Sequence, residues 1–326
     1  MTRAAEFFAG MGLIRAGLEP LGIETVFAND IDPIKANLYQ DNWGCGELHV
    51  GDICDLSGLD IPDVELATAS FPCTDLSLAG LRRGLAGDDS SLVIEFLRIL
   101  EEMGQRAPST VMIENVPGFL TSNNGADWCT VVSGLQALEY RTDHIIVDAA
   151  AFVPQSRPRV FLFGYRDAFC LPEPPALQTR LRLSSVAENG GDWWSASRLG
   201  SFLTSMSEIQ SERVTAYQRR THSAFFGAFR RTRKGRAVWE VRADELAGTL
   251  RTTRGGSARQ AILRAGNGGL AARWMNLIEY ARLQGASHLR YGSVTPQQAM
   301  SALGDAVCVP VIDWLGKHCL NPLLTR

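Results

Sequence analysis

Short apolar runs alternate with amphipathic stretches through the first half of this chain. The apolar runs predict strands near residues 4–8, 25–29, 64–70, 110–115, 143–148 and 159–165. The amphipathic stretches predict helices near residues 13–21, 33–42, 91–105 and 126–138. Strands and helices that alternate in this way predict an α/β fold with a doubly wound, mostly parallel sheet.

A proline-rich stretch, Pro172–Pro175, interrupts this pattern and is typical of a hinge between domains. Helical periodicity returns later in the chain, at 274–283, 296–303 and 310–319. We therefore expect a first domain, a smaller second domain and a C-terminal segment that returns to the first domain. Their expected bounds are 1–172, 173–272 and 273–326.

The composition suits one large core and one smaller module. The chain has 326 residues, of which 45% are hydrophobic, and a formal net charge of −3. It has no long apolar run and no basic-then-apolar leader, so we expect a cytoplasmic protein without a membrane partner. Seven cysteines and five histidines show no metal-ligand spacing, so we expect no metal site.

Cys73 follows Pro72 at the end of the apolar run 64–70. Strand ends are where α/β enzymes hold their chemistry, and the fixed φ of proline makes the exit from the strand stiff. Two interpretations of Cys73 stay open on this stretch alone. It is either a covalent nucleophile or a small buried apolar residue.

A glycine turn between the first strand and the first helix indicates a nucleotide-handling element. Gly10 and Gly12 form the turn, and Asp30 ends the second strand, where an acid binds ribose hydroxyls. Arg15 stands where a dinucleotide fingerprint has its third glycine. The turn therefore suits an adenosyl ligand without phosphates better than a pyrophosphate, and an ordinary βαβ turn remains the alternative.

Two further strand ends carry polar side chains. Glu114 lies near the end of the strand 110–115, where a carboxylate can be buried and handle a proton. Arg157 and Arg159 precede or begin the strand 159–165, and their spacing lets both face one anionic or polar ligand.

Together these motifs resemble those of the bacterial and phage cytosine-5 DNA methyltransferases of restriction-modification systems. The motifs that carry the resemblance occur in the family's order and are Phe8–Gly12, Pro72-Cys73, Glu114–Val116, Gln155–Arg159, Thr249-Leu250, Glu279–Gly285 and Gly304–Val307. The resemblance spans almost the whole chain.

The resemblance implies an S-adenosylmethionine-dependent methyltransferase fold, with S-adenosylmethionine as cofactor and a smaller DNA target-recognition domain. The residues that it places at the cofactor are Phe8, Ala9, Gly10, Met11, Gly12, Asp30, Ile31, Asp52, Ile53, Pro72, Leu92 and Asp305. Several positions depart from the family pattern. Glu6 stands where Asp is usual, Asp30 where Glu is usual, Ile31 where an aromatic residue is common, Thr74 where Gln is usual and Asp305 where Asn is usual, and a common Arg is replaced within Asp88–Leu92.

The resemblance also implies a mechanism. Cys73 attacks carbon 6 of a cytosine that has been flipped out of the duplex, which makes carbon 5 nucleophilic. Glu114 neutralises charge at ring nitrogen 3, and Arg159 holds the base carbonyl. Arg157, the fourth expected catalytic residue, supports the catalytic loop or a phosphate.

Basic residues are concentrated in one segment. Residues 178–264 contain 16 Lys and Arg against 7 Asp and Glu, whereas the rest of the chain is acidic. A basic module on an acidic body is typical of a phosphate-binding surface, and its arginines can read guanine. The residues expected at DNA are Ser77, Arg82, Arg83, Arg230, Arg231, Arg233, Thr249, Arg251, Arg254, Gly255 and Gly256.

The expected partner is double-stranded DNA, with a cognate restriction endonuclease acting separately, and a monomer is sufficient for one active site. Three alternatives stay open. The tRNA-methylating branch of the superfamily shares the chemistry, and an inactive DNA-binding relative shares the fold. A nicotinamide oxidoreductase explains Gly10, Gly12 and Asp30 but leaves Cys73 and Glu114 without a role.

Overall fold

The computed structural model describes residues 1–72, 92–177, 181–233, 235–252 and 258–325. Seven residues singled out by the sequence lie outside the described residues: Cys73, Ser77, Arg82, Arg83, Arg254, Gly255 and Gly256. The chain forms two compact units. The first contains Met1–Asp148, Pro158–Ala176 and Val309–Arg326, and the second contains Ala149–Arg157 and Leu177–Cys308.

The first unit is built on a sheet of seven strands within the described ranges. They are β1 Thr2–Phe7, β2 Ile23–Asp30, β3 Leu48–Val50, β4 Leu66–Ala69, β5 Thr110–Asn115, β6 Arg141–Asp148 and β7 Pro158–Tyr165. Their order is β3-β2-β1-β4-β5-β7-β6, and β7 runs antiparallel to both neighbours. The predicted α/β class and mostly parallel sheet are confirmed.

Helices follow the first strands, as the sequence predicts. They are α1 Leu13–Leu18, α2 Pro33–Trp43, α3 Leu92–Met103 and α4 Ala126–Ala137. The helix α1 ends before its predicted end, because Pro20 cannot donate to the helix and a 3-10 turn follows. The helix α2 begins where Pro33 occupies its first position and the Asp32 carboxylate accepts hydrogen bonds from Ile34 N and Lys35 N.

The core of the first unit lies between its sheet and α3 and α4. Phe7 of β1 contacts Phe27 and Phe96 with ring centres 5.7 and 5.1 Å apart. Val111 and Leu135 are fully buried in the same cluster. Each such side chain stabilises the fold by about 1.5–3 kcal/mol, so this core holds the strand ends at fixed positions.

The second unit contains an antiparallel sheet that the sequence pattern did not predict. Its elements are α5 Ala196–Thr204, α6 Glu208–Gln218, β8 Ala224–Arg233, β9 Arg236–Val241, β10 Ala261–Gly266, β11 Gly269–Trp274, α7 Leu277–Leu283 and α8 Pro296–Asp305. The strand order is β11-β10-β8-β9. Phe202, Val214 and Phe226 belong to the core between this sheet and α5 and α6.

The helices α7 and α8 were predicted, and capping boxes set where they begin. Asn276 caps α7 and exchanges hydrogen bonds with Glu279, so this helix starts later than the predicted residue 274. Thr295 and Gln298 do the same for α8, with Pro296 at its first position.

The end of the chain returns to the first unit as α9 Val309–Leu315 and α10 Asn321–Leu324. Gly17 of α1 contacts Ile312 of α9. Among the described residues, one helical stretch, Pro296–Leu324, could cross a membrane by length and composition. Because 67% of its most apolar part is buried inside the protein, it also fits a core helix.

The unit boundaries differ from the expected domain boundaries in three places. Residues 173–176 belong to the first unit instead of the second domain. Residues 149–157 belong to the second unit instead of the first domain, and residues 273–308 belong to it instead of the returning segment. The reason is a set of buried hydrogen bonds: Gln155 Nε2 donates to Leu283 O at 2.8 Å, and Gln284 Nε2 donates to Leu303 O at 2.6 Å.

The contact between α1 and α9 leaves no room for a methyl group at Gly17. A Cβ there would lie 2.7 Å from Cβ of Ile312. Replacing glycine by alanine stabilises an ordinary helix by about 1 kcal/mol, but overpacking should make Gly17→Ala destabilising by about 1–3 kcal/mol. Urea unfolding measures the sign. Adding Ile312→Ala should recover part of the loss, and a Gly17→Ala protein as stable as wild type would contradict this packing.

Candidate active site

The turn after β1 has a left-handed backbone at three positions. Phe8, Gly10 and Gly12 have φ of 57°, 60° and 79°. A Cβ on Gly12 would lie 2.4 Å from Trp43 Nε1, whereas a Cβ on Gly10 would meet nothing within 4 Å. Gly12 is therefore required for packing against Trp43, and Gly10 borders open space where a ligand can approach the backbone.

Asp30 joins this turn to the end of β2. Its carboxylate accepts hydrogen bonds from Gly10 N at 2.7 Å and from Asp32 N at 2.8 Å, and the residue is buried. Both bonds come from main-chain donors, so they fix the carboxylate at the carboxyl end of the parallel strands. Ligands of open α/β sheets bind at that edge.

The other expected cofactor residues of the first unit lie at the same edge or beside it. Ile31 is 63% exposed, although isoleucine is usually buried. Asp52 follows β3 and caps a short turn by accepting from Cys54 N at 3.0 Å. The Ile53 side chain is buried in the core cluster, and its contact with a cofactor stays a prediction.

Three more expected cofactor residues are packed into the protein. Ala9 and Met11 are buried, and Met11 O accepts a hydrogen bond from Trp43 Nε1 at 3.2 Å. Leu92, at the start of α3, packs against the core cluster. Their contact with a cofactor stays a prediction.

Glu6 on β1 is a buried acid behind the turn. Burial raises its pKa to about 8, although Arg15 and main-chain donors at Ile14 and Arg15 oppose the shift. Its Oε2 atom is buried without a hydrogen-bond partner among the described residues. The carboxyl group is therefore mostly neutral at neutral pH.

Arg15 occupies the position of the missing third glycine. Its guanidinium donates to Tyr39 Oη at 3.1 Å and to Glu19 at 3.2 Å, and it lies 5.0 Å from the ring centre of Trp43. These partners hold the guanidinium within the protein. Open backbone at Gly10, a fixed carboxylate at Asp30 and an exposed apolar side chain at Ile31 fit the adenosyl part of S-adenosylmethionine.

Glu114 and Arg159 meet where β5 ends and β7 begins. Arg159 Nε lies 2.9 Å from Glu114 Oε1, and the two side chains are 14% and 9% exposed. Arg159 Nη1 also donates to Pro158 O at 2.8 Å. The pair fixes the orientation of the Glu114 carboxyl group at the edge of the sheet.

Asn115 was not given a role from the sequence, although it follows Glu114 in the motif. Its Nδ2 donates to Phe71 O at 3.2 Å, and its Oδ1 accepts from Val116 N at 2.8 Å. It therefore ties the end of β5 to the residue that precedes Pro72. Cys73, next in the chain, lies outside the described residues.

Arg157 corrects an expectation. It is 1% exposed, and its Nη1 and Nη2 atoms donate to main-chain carbonyls of the second unit. These are Leu250 O at 2.8 Å, Gly304 O at 3.2 Å, Asp305 O at 3.3 Å and Ala306 O at 2.7 Å. We therefore revise its role from support of the catalytic loop or a phosphate to a structural tie, because main-chain carbonyls accept from both Nη atoms of its guanidinium. Arg157 and Arg159 bind different partners.

Two expected ligand contacts lie in the second unit. Asp305 ends α8 and is exposed. Thr249 is half-buried, and its hydroxyl donates to Ser156 O at 2.8 Å. Their contacts with cofactor and DNA stay predictions.

Two of the three expected DNA-binding arginines of the hairpin β8–β9 share one acid. Arg231 and Arg233 lie 3.3 and 2.8 Å from Glu240, and both stay more than half exposed. Arg230 lies 5.7 Å from the ring centre of Trp239, and Arg251 is exposed. One carboxylate cannot neutralise two arginines, so this end of the sheet stays positive.

No group of three or more His, Cys, Asp or Glu in the described part of the chain could hold a metal ion. The cysteines in the described part of the chain are free thiols, and Cys54, Cys129 and Cys170 are among the exposed ones.

A family model and the known proteins most relevant to this chain both point to methyltransferases. The family model of C-5 cytosine-specific DNA methylase matches residues 2–321. The type II methyltransferase M.NlaX of Neisseria lactamica is 29% identical over 318 residues, which is 96% of this chain and 94% of that protein. M.BsuFI of Bacillus subtilis is 35% identical over 161 residues, but the match spans only 38% of its length and 49% of this chain.

A solved structure has a similar fold. The crystal structure of the S. pombe Dnmt2 methyltransferase superposes with a TM-score of 0.67 and covers 99% of both chains at 20% identity. This likeness confirms the methyltransferase fold.

Glu6→Gln is expected to stabilise the protein increasingly as the pH rises. The pKa of Glu6 is about 8 in the folded chain against an ordinary value of 4.5. Between these values the folded state binds more protons, so stability falls as the pH rises through that window, and the amide variant lacks this fall. From about pH 6 to about pH 7.5, wild type should lose about 1–2 kcal/mol more than the variant in urea unfolding. Equal losses would contradict a neutral Glu6.

Proposed function

Because this chain belongs to the C-5 cytosine-specific DNA methylase family, we propose that it transfers a methyl group from S-adenosylmethionine to carbon 5 of cytosine in a short duplex DNA sequence. The Glu114–Arg159 pair, held at the carboxyl edge of the sheet next to the strand that leads to Cys73, is the observation that carries this proposal.

S-adenosylmethionine supplies the electrophilic methyl group when bound. Asp30 would hold the ribose hydroxyls, since its carboxylate is fixed by two main-chain donors. Ile31 would cover the adenine, and Asp52 would accept from its amino group. The open backbone at Gly10 leaves room for the ligand.

Cys73 acts as the nucleophile of the proposed reaction. Its thiolate adds to carbon 6 of cytosine, so electron density rises at carbon 5, which then takes the methyl group. Loss of the carbon 5 proton and expulsion of the thiolate complete the reaction. The hydrogen bond from Asn115 to Phe71 supports this role, because it holds the backbone two residues before Cys73.

Glu114 and Arg159 stabilise the charge that develops in the ring. The Glu114 carboxyl group contacts ring nitrogen 3 and shares its proton, and Arg159 donates to the base carbonyl. Their mutual ion pair supports this assignment, because it keeps both groups in one place before the base arrives.

A cytosine within a duplex cannot reach these groups, so the base leaves the stack. Unstacking costs about a few kcal/mol, and contacts between DNA and the rest of the protein offset it. The exposed arginines Arg231 and Arg233 of the second unit support DNA as the partner. The type II names of the relatives favour a separate restriction endonuclease for this chain as well.

Bisulfite sequencing tests the proposal directly. After expression in a host without cytosine methylation, we expect protected cytosines in one recurring context of the host DNA, and none with Cys73→Ala. Glu114→Gln should lower kcat by about 10²–10⁴-fold while DNA still binds.

Cys129→Ala is the matched control, because Cys129 is an exposed thiol outside the motifs, and it should methylate like wild type. Protection of cytosines that persists in Cys73→Ala would contradict the role of Cys73 as the nucleophile. Unprotected DNA together with methylated tRNA would show that the substrate is RNA and not DNA.

A further inference from the structure

Two adjoining cavities of the second unit are lined by arginine and tryptophan. They measure about 220 Å³ and about 430 Å³, and they share Trp194, Arg198 and Trp274. Arg230 lines the smaller cavity and Arg259 the larger one. The proposed function gives no role to Arg198, Arg259 or either tryptophan.

Three guanidinium groups surround the ring of Trp274. The Cζ atoms of Arg198, Arg230 and Arg259 lie 5.6, 5.7 and 5.3 Å from the centre of the ring. Each contact with the ring is favourable, but the three positive charges are brought close together. Their mutual repulsion is unfavourable, and an anion bound beside them would offset it.

Two of these groups, Arg198 and Arg259, have little negative charge beside them. No carboxylate pairs with Arg198 or Arg259 in the described ranges, and the one hydrogen bond of the Arg259 guanidinium goes to Met275 O at 3.4 Å. Asp192 also lines the larger cavity, and both Asp192 and Arg198 are exposed, so this one carboxylate offsets at most one of the two charges of Arg198 and Arg259. Arg273 lines it too, and Glu279 neutralises that arginine at 2.6 Å. The cavities therefore keep an excess of positive charge.

Unused hydrogen-bond donors point to the same conclusion. Trp194 Nε1 and Arg259 Nε are buried without a partner among the described residues. Burial lowers the pKa of Arg259, and repulsion from Arg198 lowers it further. Arg198 also stands in the first turn of α5, where a positive charge opposes the helix dipole. An anion would satisfy all of these groups.

We propose that Arg198, Arg259 and Trp194 bind one phosphate of the DNA backbone in this cavity, which anchors the second unit to the duplex. The ligand chemistry is a phosphate group, and the DNA source rests on the proposed function. Guanidinium groups and an indole N–H are donors only, so they match phosphate oxygens, which only accept. The site adds affinity without reading bases.

Binding of a labelled duplex, followed by fluorescence anisotropy across a range of salt concentrations, tests the site. Arg198→Gln should weaken binding about tenfold and lower the slope of log K against log salt by about 1. Arg259→Gln should do the same, and kcat at saturating DNA should stay near the wild-type value. Arg182→Gln is the control, because it removes an equal charge from an exposed arginine of the same unit that pairs with Glu245.

Each outcome supports or overturns the proposed phosphate site. Loss of affinity in both variants but not in the control supports the pocket. Wild-type affinity for DNA in both variants overturns the proposal that this cavity binds a DNA phosphate, and it leaves the proposed function intact. If the wild-type protein neither binds nor methylates DNA, inorganic phosphate is used as the second probe. Quenching of tryptophan fluorescence that Arg198→Gln abolishes then shows a site for free phosphate, and absence of quenching overturns the pocket as well. Unchanged urea midpoints exclude misfolding.

Discussion

The ion pair between Arg159 and Glu114 exists because β7 enters the sheet antiparallel to β5. Glu114 pairs with Phe161 in that register, so Arg159 at the start of β7 reaches the carboxyl end of β5. A parallel β7 would carry its arginine to the opposite edge. Breaking a buried pair of this kind costs about 3–5 kcal/mol. The reversed strand thus places a cation beside the acid at the edge where ligands of such sheets bind.

The second unit depends on buried side chains that bond to main-chain carbonyls. Arg157, Gln155 and Gln284 are almost fully buried, and they join segments that are far apart in sequence. A second tie is the buried pair of Arg273 and Glu279, whose carboxylate also accepts from Glu188 N and Asn276 N. Carbonyls and N–H groups that no sheet satisfies gain partners in this way.

The sequence could predict what local pattern controls. The strands, the glycine turn and Asp30 at the end of β2 follow from periodicity and strand-end chemistry. The sheet of the second unit could not be read in advance, because β8 passes from the apolar run at Phe225 to the arginines at its end. The role of Arg157 and the neutrality of Glu6 depend on distant residues, and so does the cavity at Trp274. No local pattern contains that information.

Covalent trapping tests the central claim most directly, because it requires Cys73, the flipped cytosine and the cofactor together. Wild-type protein is incubated with S-adenosylmethionine and duplex DNA that carries 5-fluorocytosine at the methylated position. Fluorine cannot leave as a proton, so the adduct cannot break down. We predict a protein–DNA band that survives denaturing electrophoresis in wild type and is absent from Cys73→Ala. A wild-type protein that methylates ordinary DNA yet forms no such band would contradict the account.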